Sequence, residues 1–71
     1  MTAYSDRIRQ RRLELGLSQD ELAKRVGYSE RSAIAKIETG VNDITVTKFV
    51  EIAHALSISP IELLGLEVKD E

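Results

Sequence analysis

The sequence has no cysteine, so it offers neither disulfides nor thiolate ligands, which fits a reducing compartment. Its single histidine, His54, leaves too few ligands for a conventional zinc site. No apolar run approaches the ~20 residues that span a bilayer, and the N-terminal stretch MTAYSDRIRQ lacks the hydrophobic region of a signal peptide. The product is therefore expected to stay in the cytoplasm and away from membranes. A glycine-rich phosphate loop is missing too, and a chain of 71 residues encloses little room for a substrate pocket. No enzyme, no cofactor and no small-molecule substrate are expected.

What is present suits one small domain, near the lower limit of what an apolar core supports without staples. The hydrophobic share is 42% and the charged share 31%, ordinary for a compact protein. The net charge of −2 argues against a purely electrostatic nucleic-acid binder, because such binding rests on neutralising phosphates. The distribution says more than the sum. Residues 1–48 carry nine Lys/Arg against seven Asp/Glu, and residues 49–71 one against five. A mildly basic front and an acidic rear can orient a protein on DNA; mixed solvated helix faces give the same pattern.

Helix formers dominate, the only proline is Pro60, and no stretch alternates strictly between apolar and polar residues. An all-α fold of five short helices follows. The first is expected from about Ser5 to Leu15, with Ser5 as N-cap, Gly16 as stop, and Tyr4, Ile8 and Leu15 on one face. Ser18-Gln19-Asp20-Glu21 is a capping box opening a second helix whose buried stripe is Leu22, Ala23 and Val26, ended by Gly27. It is barely two turns long and needs a packed neighbour to survive. The third helix is expected from Glu30 to about Thr39, with Ile34 and Ile37 inward. Ser32, Ala35, Lys36 and Thr39 then face outward at 100° per residue, flanked by Ser29 and Arg31. Small and polar residues on that face suit a major groove about 12 Å wide, and equally an ordinary solvated face. Thr45 caps a fourth helix to Leu56 with Val46, Phe49, Ile52, Ala53 and Leu56 as its stripe; His54 falls off that stripe, at the surface. Ser59-Pro60-Ile61-Glu62 is a second capping box, opening a fifth helix from Pro60 to Leu64 that Gly65 stops. Residues 1–66 are expected to form the domain and 67–71 an acidic tail.

In order, IRQRRLELGLSQDELAKRVG, SAIAKIETG and IAHALSISPIELL resemble the helix-turn-helix of the lambda and 434 repressor and Cro family, over Ile8 to Leu64. That resemblance implies a compact five-helix DNA-binding domain. Ala23 then faces the third helix at closest approach, and Gly27 takes a positive φ in the turn. It further implies a buried ion pair between Arg12 and Glu38, for which bidentate Arg–carboxylate geometry is well suited. Gly27 to Gly40 holds one residue more than the commonest family spacing, within Tyr28–Arg31. The insertion either lengthens the turn or starts the third helix earlier. GYSERSAIAKIETGVNDI is similar to a subset of prophage repressors with this longer connection, although Thr45 stands where that subset often has proline.

The resemblance implies a transcriptional regulator, a phage- or prophage-type repressor, that binds double-stranded DNA sequence-specifically through the third helix. Arg31, Ser32 and Lys36 are the candidates for base edges, and Gln19 for a phosphate at the start of helix two. Thr39, Gly40 and Asn42 would hold the backbone on the other side, where Asp43 replaces the cation many relatives carry. Ser29 flanks the contact, and Glu30 must meet a cytosine N4 donor or turn away. The family's usual partner is a palindromic operator bound by a homodimer, with helix five and Leu63-Leu64-Gly65-Leu66 as the candidate self-association surface; Leu63 or Leu64 taken alone fits the core equally well. A bacterial or phage-encoded, nucleoid-associated protein is implied. An antitoxin or anti-regulator on the same fold, or a restriction–modification controller, is the alternative. The length fits a complete Cro-like protein or the N-terminal domain of a longer repressor.

Overall fold

The computed structural model describes residues 3–40 and 44–65. Five helices follow one another: α1 (Ala3–Glu14), α2 (Gln19–Arg25), α3 (Ser32–Glu38), α4 (Val46–Ala55) and α5 (Pro60–Leu64). There is no strand among the described residues. The candidate tail, Leu66, Asn42 and Asp43 lie outside them.

Every helix donates to one core. Ile8 of α1, Leu22 of α2, Ile34 of α3, Ile52 of α4 and Leu63 of α5 are all fully buried, joined by Leu56. Each such side chain stabilises by roughly 1.5–3 kcal/mol when removed from water, and α2, α3 and α5 are too short to persist without that contribution. α3 packs on α2 and α1, α4 on α5 and α2, and α1 also on α5. Tyr4 meets Phe49 edge to face at 5.6 Å between ring centres, joining α1 to α4.

The helix ends repeat one device. At the close of α1, the Gly16 N–H donates to the Leu13 carbonyl and the Leu17 N–H to that of Arg12. The pair 27/24 and 28/23 does the same for α2, and 57/54 and 58/53 for α4. These are Schellman closures, in which the residue after the left-handed position returns to the core. Leu17 is buried by it, and Tyr28 and Ile58 pack against the core. At α4 the left-handed residue is Ser57, φ 55°, and Arg11 supports that end by donating from Nε to the Leu56 carbonyl at 2.9 Å.

Five expectations are corrected. α1 begins at Ala3, and Ser5 lies fully buried within it instead of capping it; a small hydroxyl fits where α1 meets its neighbours. Leu15 is outside the helix and 39% exposed, because the Schellman closure at Gly16 turns Leu17 inward in its place. α3 starts at Ser32, so the added residue lengthens the turn. Val46 is 81% exposed, since the first residue of α4 projects beyond the packed stripe. At α5, Ser59 accepts from the Glu62 N–H at 3.1 Å, but the Glu62 carboxylate takes the Ser59 hydroxyl at 3.2 Å, so the reciprocal backbone half of that box is not made.

Candidate nucleic-acid interface

α2 opens with Ser18 accepting from the Glu21 N–H at 3.0 Å and Glu21 accepting from the Ser18 N–H at 2.9 Å. The Ser18 backbone N–H, then the Ser18 hydroxyl, hold the Glu21 carboxyl below its ordinary value of 4.5. This reciprocal cap fixes where α2 begins, and therefore where Gln19 sits. The Gln19 amide donates to Glu38 Oε1 at 3.3 Å, which places the start of α2 beside the end of α3.

Glu38 is the last residue of α3 and faces inward, not to solvent. Arg12 reaches it with two donors, Nε to Oε2 at 2.7 Å and Nη2 to Oε1 at 3.1 Å, while Arg12 Nη1 donates to the Leu17 carbonyl at 2.8 Å. Both residues of the pair are buried. The guanidinium thus joins α1, the loop after it and α3, and through Gln19 the same carboxylate reaches α2. A bidentate pair in which the third guanidinium nitrogen is also hydrogen-bonded is the arrangement in which buried charge is tolerable.

Outside that lock lies the exposed side of α3. Ser32, Lys36 and Thr39 are exposed and Ala35 is half-buried, with Ser29, Glu30 and Arg31 exposed in the turn before them and Gly40 after. Arg31 precedes the helix in αR conformation and makes no side-chain cap. Ser32 donates its hydroxyl to Glu30 Oε2 at 3.3 Å, so the acidic side chain folds along the start of α3. Thr39 donates back to the Ala35 and Lys36 carbonyls, each at 3.1 Å, leaving its oxygen lone pairs outward. The structure gathers Gln19, Ser29 to Ser32, Lys36, Thr39 and Gly40 along two adjacent short helices; Asn42 falls outside the described residues.

One residue of this assembly escaped the sequence reading. Lys48, in the first turn of α4, donates to the Val26 carbonyl at 2.6 Å, and its ammonium lies 4.8 Å from the Tyr28 ring centre. Its partner is distant in sequence. The available signal was a local mismatch, a cation in the first turn of a helix where the dipole favours an anion.

No helix of the described residues is long and apolar enough to cross a membrane, and no cluster of His, Asp or Glu among them suits a metal. The profile of the Helix-turn-helix family matches residues 8–63. An uncharacterised transcriptional regulator from the ATPase CF(0) region of Rhodospirillum rubrum is 45% identical over 52 residues, 73% of this chain and 47% of its own length. The chain thus spans about half of that relative. The restriction–modification controller protein C.AhdI of Aeromonas hydrophila superposes with TM-score 0.81 at 34% identity, covering 87% of this chain and 92% of its own. The P22 c2 repressor, in a structure with a synthetic operator, gives TM-score 0.83 at 31% identity over 94% of this chain and all of its own. The capping box, the turn at Gly27, the buried Arg12–Glu38 pair and these matches place the chain in the helix-turn-helix family of lambda-repressor- and Cro-like, sequence-specific DNA-binding transcriptional regulators.

Proposed function

We propose that this chain is a repressor that reads a palindromic operator as a homodimer in the cytoplasm, each copy placing α3 in the major groove. The observation that carries this reading is the exposed row of Ser32, Lys36 and Thr39 on a helix whose other side is fixed by the buried Arg12–Glu38 pair. A rigid helix with a short polar face can enter a groove without first paying to order itself.

On this reading Arg31 and Lys36 reach guanine O6 and N7, and Ser32 makes an adaptable contact. The Glu30 carboxylate, held by Ser32, accepts from a cytosine N4 donor or swings from the phosphates. Gln19 exchanges part of its bond to Glu38 for a phosphate, and Thr39, Gly40 and Asn42 hold the backbone past the end of α3. Ser29 flanks the phosphate side. Half-sites about one helical turn apart follow from two-fold symmetry.

The test is selection of bound sequences from a random duplex library, followed by titration of the selected site. Lys36→Ala is expected to weaken the selected site by ~1–3 kcal/mol while binding to unrelated duplex changes little. Equal losses on both duplexes would reduce Lys36 to a phosphate contact, and failure to select any site would overturn the reading.

A further inference from the structure

Residues 29–31 lie between Gly27 and the start of α3, and no side-chain cap holds the beginning of that helix. Its upstream anchor is the group of contacts made by Lys48. The ammonium takes the Val26 carbonyl at 2.6 Å, lies 4.8 Å from the centre of the Tyr28 ring, and is balanced by Glu51 at 3.1 Å. Val26 is the closing residue of α2, where Tyr28 returns its N–H to Ala23 at 2.9 Å. A cation at this end meets the negative pole of the helix, and the ring face adds an attraction of the same sign. Gly27 stands between them with φ +80° and space for a Cβ that would reach only to 4.0 Å from the Lys48 ammonium. The lengthened connection is thus tied down at its first residues, from behind, by a helix that carries none of the candidate DNA contacts.

We infer that Lys48 is a positioning residue for sequence readout: by clamping Val26 and Tyr28 it sets how Ser29, Glu30, Arg31 and Ser32 are presented to the bases. Lys36, a full turn further along α3, is positioned instead by Ile34, Ile37 and the Arg12–Glu38 pair. The two halves of the reading face therefore have separate supports. Loss of the Lys48 clamp lets the turn sample other conformations, and the discrimination supplied by its side chains fades while that of Lys36 persists. This inference rests on the operator-reading proposal above.

The experiment compares base preferences of wild-type protein, Lys48→Met, Lys48→Arg and Tyr28→Leu, selected from one random duplex library at a temperature where circular dichroism shows all four folded. Lys48→Met is expected to flatten preference about three- to tenfold at the base pairs that Arg31→Ala also affects, and to leave those affected by Lys36→Ala unchanged. Lys48→Arg keeps the hydrogen bond and the cation over the ring, so it restores the wild-type profile. Tyr28→Leu removes only the ring and gives a smaller flattening at the same positions. A wild-type profile for Lys48→Met, or a loss spread evenly over all positions, would overturn the positioning role while leaving the operator reading intact. Absence of any selected site for the wild type would overturn both.

Discussion

Arg12 and Glu38 show what single residues contribute here. Their charges are buried, so desolvation opposes the attraction between them, and such a pair adds little net stability against apolar residues of similar volume. Breaking it is another matter. Arg12→Ala leaves a buried carboxylate facing Gln19 alone and frees the Leu17 carbonyl from its 2.8 Å donor. A loss of ~3–5 kcal/mol is expected, measured by urea denaturation, with operator affinity per folded molecule changing less. A double variant, Arg12→Met with Glu38→Leu, is expected to recover most of the stability, because neither charge is then stranded. If the double variant is as unstable as the single one, packing and not charge compensation explains the site.

At the scale of elements, three of the five helices end in the same closure, and in each the following residue is apolar and turned toward the core. Gly27 is the closure nearest the candidate interface. Its φ of +80° strains any residue with a Cβ, although the space there is open. Gly27→Ala is thus expected to cost ~1–2 kcal/mol from backbone strain alone, lowering Tm by roughly 4–8 °C per kcal/mol. A scanning-calorimetry Tm equal to wild type would show that the turn relaxes to another conformation. These same ends explain what was readable in advance. Ser18 with Glu21, Thr45, Pro60 and the stopping glycines act through bonds spanning three to five residues, so a local string reveals them. Ser5 looked like a cap by the same logic, yet it lies inside α1, where neighbouring helices decide which face is buried. Leu15 and Val46 stand at helix ends, where the closure at Gly16 and the start of α4 take them off the packed stripe. α3 starts two residues later than its local pattern suggests, because no side-chain cap fixes where that helix begins. Lys48 was missed because its partners lie on α2 and in the turn, beyond any local pattern.

For the whole molecule, the proposed palindromic operator requires a surface on which two copies can pair. Leu63 is fully buried and belongs to the core, so it is not free for self-association. Val46, Ile61 and Leu64 are different, at 81%, 48% and 45% exposure. Val46 and Leu64 line an open apolar hollow with Tyr4, Phe49, Val50 and Pro60. The hollow is formed by α1, α4 and α5 together with Ile44, whereas the described candidate DNA contacts lie on α2, on α3 and in the residues flanking α3. Its lining residues include none of the candidate DNA contacts, so a second copy seated there would leave those contacts uncovered. Leu64→Asp places a charge on this surface without touching the buried Leu63 and is expected to leave Tm within a few degrees of wild type. On the homodimer proposed above, wild type is expected to sediment as a dimer at micromolar concentration and Leu64→Asp as a monomer. Binding to an isolated half-site duplex would be retained and binding to the full palindrome would lose its dependence on two copies. A variant that still sediments as a dimer would move the self-association surface elsewhere on the molecule.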